Sequence, residues 1–448
     1  MNNINVHKFH IPVLGVGFSV DTPVKVARYG ISSVISLGDD TLMEKLRKHY
    51  LTKLDKQYIP ITDEENDSRA KRITAYLNMV HHIVKEQFET LKNSAFEIGS
   101  EINKYFEMLP DLSMLKSKYN EMIASKELSV KQQIQKWLRD NISHGSIDVN
   151  IMTKIDKTSY DSDNAVLPVE FNLAHAALRG FALSNLESSI IFSAGMNPRL
   201  FSYLETFRDF YPQSDGSFKK KITIKVSDYR SADIQGRYLA KKGLWVSEYR
   251  IESGLNCGGH AFASDGHLLG TILEEFKLRN DELLSATKEL CLKALEKKKI
   301  NFDSSHLKFN ITVQGGVGKS SEQEFLLRYY NVESVGWGSP FLLVPEVMNV
   351  DEKTLNKLSL AGEKDIYLSN VSPLGVPFNN LRLNEKDAEK TERVKLGKPG
   401  SLCSKKFLQS NKEYSEKPLC TASITFLNKK IKDLKEKYSE TDEFQKEF

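Results

Sequence analysis

Eight short apolar segments, each followed by a stretch with helical character, constrain this chain more than any other feature of its sequence. The segments are rich in Val and Ile, and they occupy residues 11–17, 31–37, 146–152, 188–196, 221–228, 244–251, 309–318 and 332–339. Strands that are joined through helices run parallel and side by side. We therefore predict a closed (β/α)8 TIM barrel of the α/β class. An open doubly wound sheet gives the same alternation and stays an alternative.

Two regions interrupt this alternation. Residues 63–145 carry apolar residues at helical spacing without any strand between them, and the region is too long for an ordinary connection. We predict a helical insertion after the second strand, which is a structural cap, a mobile lid or a dimerisation arm, so a homodimer stays an open alternative. The predicted organisation is barrel strands 1–2 in residues 1–62, the insertion, barrel strands 3–8 in 146–345, and a C-terminal extension in 346–448 that is loop-rich and ends in an amphipathic helix.

Composition and charge argue against several classes of protein. The 63 basic and 59 acidic residues give a formal net charge of +4, which is not the basic balance of a nucleic-acid-binding protein. No apolar run approaches the roughly 18 residues of a membrane span, and the N-terminus lacks the pattern of a signal peptide. We expect a cytoplasmic protein without a membrane partner. The four cysteines form no C-x-x-C pair, and we expect no metal site.

The stretch W-V-S-E-Y-R-I-E-S-G-L-N-C-G-G-H joins the sixth predicted strand to a glycine turn that ends at His260. Active sites of barrels lie on the loops that follow the strands. Histidine has an ordinary pKa of about 6.5, which suits proton abstraction near neutral pH. We predict that His260 is catalytic, and a structural histidine is the alternative. Cys257 is either a packing residue or a reactive thiol.

Glycines also follow the last two predicted strands. Gly315 and Gly316 come after the seventh strand, and Gly338 and Ser339 come after the eighth. Barrels bind phosphate at this place because glycines let backbone N–H groups approach the anion closely. The alternative is that these glycines only make tight turns. The sequence Q-G-G-V-G-K-S also resembles a P-loop of the ParA type, although Gln314 stands where that motif has its signature lysine.

The order of these motifs resembles the FMN-dependent (β/α)8 barrels, and most closely the nitronate monooxygenase (2-nitropropane dioxygenase-like) family. The resemblance covers the barrel strands of residues 9–61 and 146–345. The positions that match the family's motifs are Asn150 at the end of the third strand, Gly258-Gly259-His260 after the sixth, Gly315-Gly316-Val317 after the seventh and Gly338-Ser339 after the eighth. The resemblance implies that these positions surround FMN, with His260 on the substrate side. The family's methionine-containing turn after the first strand is replaced here by G-V-G-F-S.

Lys225 alternates with apolar residues along the fifth predicted strand. If Ile224 and Val226 face the helices, the Lys225 side chain points into the barrel, where an unpaired ammonium group is costly. We predict that Lys225 either contacts the flavin or its phosphate, or forms a salt bridge with a neighbouring strand. Glu248 and Glu252 are the candidates for that salt bridge, or for contact with the substrate.

These patterns together predict an FMN-dependent oxidoreductase, similar to nitronate monooxygenases, that oxidises a small activated carbon acid with His260 as the base. A flavin-dependent reductase that uses a nicotinamide cofactor is one alternative. A flavin-free phosphate-binding barrel, an isomerase or a lyase, is another. A ParA-like ATPase is a third, and it requires an open sheet. We expect a small-molecule substrate and no nucleic-acid partner.

Overall fold

Eight parallel strands pair in sequence order and close into a barrel. The computed structural model describes residues 7–438 apart from 112, 154–155, 162, 164, 194, 253–267, 370–377, 402–408 and 410. The strands are β1 (Phe9–Ile11), β2 (Ser32–Ser36), β3 (Ile147–Met152), β4 (Ser189–Ser193), β5 (Lys221–Val226), β6 (Val246–Ile251), β7 (Asn310–Gln314) and β8 (Ser334–Gly336). β1 pairs with β8, with His10 opposite Gly336. The predicted (β/α)8 barrel is confirmed, and the open sheet that a ParA-like ATPase requires is excluded.

The first strand lies nearer the N-terminus than the sequence pattern predicted. It covers residues 9–11 and not 11–17. Pro12 has no amide hydrogen for a strand ladder, and the chain then turns, with the amide groups of Phe18 and Ser19 donating to the Gly15 carbonyl oxygen. The apolar residues after Ile11 therefore belong to a turn at the carboxyl end of β1.

Helices surround the barrel, and some of them pack in a separate apolar core. They are α1 (Thr22–Val26), α2 (Asp40–Lys53), α3 (Ser68–Asn93), α4 (Glu101–Glu107), α5 (Met114–Ala124), α6 (Leu128–Asn141), α7 (Leu173–Ala182), α8 (Pro198–Tyr203), α9 (Tyr229–Ala240), α10 (Leu269–Lys297) and α11 (Ser320–Tyr329). None of the helices in the described residues combines the length and the apolarity that crossing a bilayer requires.

Helix α3 contributes to two separate apolar cores. Its first half, with Ile73 and Val80, belongs to the barrel core and packs against α2 and α7. Its second half, with Phe88 and Leu91, packs with α4, α5 and α6 in a core of their own. The region predicted as a helical insertion thus shares its first helix with the ring around the barrel.

The described residues after 350 form a second compact unit, while the barrel and the helices listed above form the first. The second unit contains α12 (Glu352–Leu360), an antiparallel pair of strands β9 (Ile366–Ser369) and β10 (Phe378–Leu381), α13 (Glu385–Lys395) and α14 (Ile424–Tyr438). Helix α14 lies in the region where the sequence predicts a terminal amphipathic helix. The first four of these elements lie in the part of the extension that the sequence indicates to be loop-rich. Helix α13 has no buried residue and hence no apolar face for a periodic pattern to reveal.

Candidate active site at the barrel mouth

The barrel interior is polar on the side formed by β5, β6 and β7. Along β5, the apolar residues Ile222, Ile224 and Val226 belong to the core under the helices. Successive side chains of a strand point to opposite faces, so Thr223 and Lys225 point into the barrel. The interiors of such barrels are commonly filled by branched apolar side chains, and buried charges here need partners.

Lys225 forms an ion pair with Glu252 at the carboxyl end of β6. The Lys225 Nζ atom lies 2.6 Å from the Glu252 carboxylate, and the two side chains are 16% and 6% exposed. The Gln314 amide of β7 donates a hydrogen bond of 3.1 Å to the other oxygen of Glu252. Of the two sequence predictions for Lys225, the salt bridge with a neighbouring strand is therefore confirmed. This trio, Lys225, Glu252 and Gln314, lies at the barrel mouth.

A second charged pair lies deeper in the barrel. The Arg250 guanidinium donates to the Glu248 carboxylate at 2.8 Å. The hydroxyl groups of Thr312 and Thr223 donate to the same carboxylate. Arg250 is only 3% exposed. These hydrogen bonds compensate the buried charge of Glu248 and join β5, β6 and β7 inside the barrel.

His10 of β1 is a buried member of the same interior that the sequence patterns did not single out. Its Nδ1 atom lies 3.3 Å from the Ser334 hydroxyl oxygen. Burial, reinforced by the nearby Arg250 guanidinium, holds the pKa of His10 well below its ordinary value, so the imidazole is neutral. A Cβ atom on Gly336 would lie 2.7 Å from His10 Nε2, so only glycine leaves room for this ring.

The glycine loops after β7 and β8 lie side by side. Gly315 and Gly316 both adopt left-handed backbone conformations, with φ of 81° and 74°, and the Gly315 amide donates to the Gly336 carbonyl oxygen. A Cβ atom on Gly338 would lie 2.8 Å from Leu14. Within the described residues, no oxygen accepts a hydrogen bond from the amide groups of Gly316, Val317 or Ser339. These amides are donors of the kind that bind a phosphate group.

The next two amides along this loop already have an anionic partner. The Glu322 carboxylate accepts hydrogen bonds from the backbone N–H groups of Gly318 at 2.8 Å and Lys319 at 3.0 Å. These bonds hold the pKa of Glu322 below its ordinary value. Lys319 stands immediately before α11, where Glu322 completes a capping arrangement. A phosphate at this loop must therefore use the amides before Gly318.

Of the remaining predicted site residues, Asn150 lies within the described residues, and Gly258, Gly259 and His260 do not. Asn150 lies near the carboxyl end of β3, is partly exposed, and donates a hydrogen bond of 3.3 Å to the Ser193 hydroxyl group of β4. Gly258, Gly259 and His260 lie outside the described residues, so their predicted roles stay predictions. Among the described residues, no group of three His, Cys, Asp or Glu side chains is arranged to hold a metal ion.

Comparison with known proteins adds only distant likenesses of fold. No family model matches the sequence, and no curated protein matches it significantly. The solved structures that match include a nitroalkane oxidase from Streptomyces ansochromogenes, with 10% identity and a TM-score of 0.38 over 83% of this chain and 76% of that one. They also include the enoyl reductase domain of MlnA from the macrolactin biosynthesis cluster of Bacillus amyloliquefaciens, with 14% identity and a TM-score of 0.34 over 72% of this chain and 71% of that one. At these TM-scores the likeness carries no argument about cofactor or substrate.

Proposed function

We propose that this protein is an FMN-dependent oxidoreductase, similar to nitronate monooxygenases, that oxidises a small activated carbon acid. The observation that supports this proposal is the pair of left-handed glycines, Gly315 and Gly316, beside Gly338 at the ends of the last two strands. Their loops offer amide donors without acceptors in the described part of the chain. This is the position at which (β/α)8 barrels hold a phosphate group.

The residues at the mouth fit FMN as follows. The amides of Gly316, Val317 and Ser339 would bind the phosphate, and Asn150 and Lys225 would lie beside the flavin ring. FMN would supply the capacity to accept electrons or a hydride from the substrate. Glu252 fixes the direction of the Lys225 ammonium group, which would stabilise negative charge that develops on the reduced cofactor.

His260 would act as the base that removes the substrate proton. Its role is tested with two probes that differ only by that proton, nitroethane and its nitronate anion. We expect the change His260→Ala to lower the oxidation rate of nitroethane by about a hundredfold or more while leaving the bound flavin in place. The nitronate has already lost the proton, and its oxidation should change much less. If the oxidation rates of nitroethane and its nitronate fall equally, or if neither rate falls, His260 is not the base.

The visible absorbance of the purified protein separates the classes of function. Flavin bound to the protein absorbs at about 450 nm. If the protein is colourless and takes up no added FMN, the flavin proposal fails, and binding of inorganic phosphate alone would then favour an isomerase or lyase. If the protein holds flavin and the flavin is reduced by NADH or NADPH, a reductase that uses a nicotinamide cofactor is favoured instead of an oxidase.

A further inference from the structure

A cavity lies outside the barrel, between the helix that follows β1 and the helices that follow β2. Its volume is about 570 Å³, within the range of about 300–1,000 Å³ of small-molecule sites. Its walls come from α1, α2, α3 and α4, together with short connections. The site at the barrel mouth shares none of its residues, so the cavity is independent of the proposed oxidoreductase function.

The charges around this cavity balance each other. Its wall carries four cations and two carboxylates: Lys25, Arg28, Lys53, Lys104, Glu107 and Glu346. Two further carboxylates pair with cations of the wall, since Asp21 lies 3.4 Å from Lys25 and Glu101 lies 2.8 Å from Lys104. Four cations are thus matched by four carboxylates. An ion that leaves water for this cavity meets no unmatched opposite charge, so the wall favours an uncharged molecule.

A buried hydrogen-bond acceptor in the wall has no donor. The side-chain oxygen of Gln87 is inaccessible to solvent, and it accepts no hydrogen bond from the described residues. Buried polar atoms nearly always form hydrogen bonds, so an acceptor without one indicates a place where a ligand supplies a donor. A carboxylate has no donor, whereas a carboxamide N–H group is one.

A buried hydrogen-bond donor in the wall has the complementary need. The Arg28 Nε–H group makes no hydrogen bond with the described residues, and its contact with Glu101 is an ion pair of 3.5 Å. The Glu101 carboxylate already accepts hydrogen bonds from Tyr29 and Lys104. The wall therefore needs a donor at Gln87 and an acceptor at Arg28. A carboxamide has both, because its nitrogen donates and its oxygen accepts.

Apolar side chains lie beside these polar groups. Ile83 and Gln87 both line the cavity, and residues four positions apart on a helix are neighbours on one face. Val24 and Ile83 are almost fully buried, whereas Leu54 and Met108 of the same wall are 41% and 44% exposed. An apolar ligand body that covers these side chains removes them from water, which is favourable.

We infer that this cavity binds a small uncharged carboxamide with an apolar body. The amide nitrogen would donate to the Gln87 oxygen, and the amide oxygen would accept from Arg28. The apolar body would cover Val24 and Ile83. Each part of this ligand answers one observed property of the wall: its balanced charge, its two unpaired polar groups and its apolar side chains.

Three probes of the same skeleton test the class of ligand in titrations of the full-length protein followed by NMR. They are 4-phenylbutanamide, the ketone 5-phenylpentan-2-one, in which a methyl group replaces the amide nitrogen, and the anion 4-phenylbutanoate. We expect saturable binding of the amide, at least about threefold weaker binding of the ketone, and at least about tenfold weaker binding of the anion. Absence of amide binding, or binding of the ketone or the anion as tight as that of the amide, would overturn the inference.

The change Gln87→Leu tests the proposed hydrogen bond. Leucine keeps the approximate size of the side chain but has no acceptor, so the amide should lose its advantage over the ketone, while the affinity for the ketone should not fall. The matched control is Gln133→Leu, at an exposed position of α6 that does not line the cavity, and it should leave both affinities unchanged. If the amide keeps its advantage in Gln87→Leu, or if the control removes it equally, Gln87 is not the partner and the inference fails.

The change Met108→Trp locates the binding independently of Gln87. The larger side chain should fill part of the cavity and weaken the binding of both the amide and the ketone by at least about threefold. Wild-type affinities of this variant would place the probes elsewhere and overturn the inference. Melting temperatures of the three variants show that each is folded.

Discussion

At the scale of single residues, the Lys225–Glu252 pair is the best-defined chemical feature of the barrel mouth. The pair is short at 2.6 Å and mostly buried, so each charge depends on the other. Removal of one partner of a buried ion pair leaves an uncompensated charge, which costs more than the pair itself contributes. Each partner is therefore needed once the other is present, and Glu252 directs the Lys225 ammonium group.

A double-mutant cycle measures this dependence. We expect Glu252→Gln alone to lower the free energy of unfolding by about 3 kcal/mol, because it strands the Lys225 ammonium group. Lys225→Met alone should also destabilise the protein, and the double variant should lose less than the sum of the two. The coupling energy from urea unfolding should be on the order of 1–3 kcal/mol. Additive losses would show that the two side chains act independently in solution.

Lys220 is another buried cation, and its partners are backbone carbonyl oxygens instead of a carboxylate. It is fully buried just before β5, and its Nζ atom donates to the carbonyl oxygens of Phe181, Ser184 and Leu186 at 2.6–3.0 Å. These carbonyls lie in the last turn of α7 and just after it, so Lys220 joins the end of α7 to the barrel. Burial lowers the pKa of Lys220 from 10.5 to about 7.

This lowered pKa predicts a pH dependence of stability. Between pH 7 and 10.5 the unfolded chain binds a proton at Lys220 that the folded protein does not, so the contribution of Lys220 to the free energy of unfolding rises with pH. The slope is at most about 1.4 kcal/mol for each pH unit. We expect the stability difference between wild type and Lys220→Met to be larger at pH 9 than at pH 7 in chemical denaturation. The exposed neighbour Lys221, changed to Met, should show no such trend. A difference that is constant or falls with pH would contradict this account.

At the scale of elements, the capping of α11 by Glu322 competes with the binding of a phosphate by the loop before this helix. The Glu322 carboxylate caps the helix by accepting from the amides of Gly318 and Lys319. The amides that we assign to the phosphate come directly before these residues in the same loop. A carboxylate so close in sequence repels a phosphate dianion while it stabilises the helix.

The change Glu322→Gln separates these roles. The glutamine removes the charge and keeps the size, so we expect the protein to lose a little stability and to bind FMN several-fold more tightly. Riboflavin lacks the phosphate, and its affinity should not change. Flavin fluorescence titrations of the wild type and the variant give both affinities. An unchanged or weaker affinity for FMN would place the phosphate away from this loop.

The helices of the second unit show why sequence patterns detect some elements and not others. Helix α14 has apolar residues on one face, including the buried Phe426 and Leu434, and its period was visible in the sequence. Helix α13 instead begins with the Asn384 side chain capping the Asp387 amide and continues with charged residues. Its stability comes from the cap and from pairs such as Lys386–Glu389, which an apolar period does not detect.

At the scale of the whole molecule, the eight parallel strands were predictable from eight repeats of one pattern, whereas the closure of the barrel is shown by the pairing of β1 with β8. The direction of Lys225 followed from its alternation with Ile224 and Val226, and its partner followed from the adjacent strand. His10 was not predictable, because a single histidine in a strand of three residues has no periodic partner. Its contact, Ser334, lies 324 residues away and is brought near only when the barrel closes.

If the loops after β7 and β8 hold the phosphate of FMN, a change in the first loop should weaken the binding of FMN but not that of riboflavin. In flavin-stripped protein, Gly316→Ala places a side chain on a left-handed residue of the loop, with φ of 74°. Gly99→Ala introduces the same backbone strain in the helical region, with φ of 79° and open space around its Cβ atom. We predict that Gly316→Ala weakens FMN binding by at least about tenfold while riboflavin binding stays the same, and that Gly99→Ala changes neither. Wild-type affinity of Gly316→Ala for FMN, or no FMN binding by the wild type, would contradict the account.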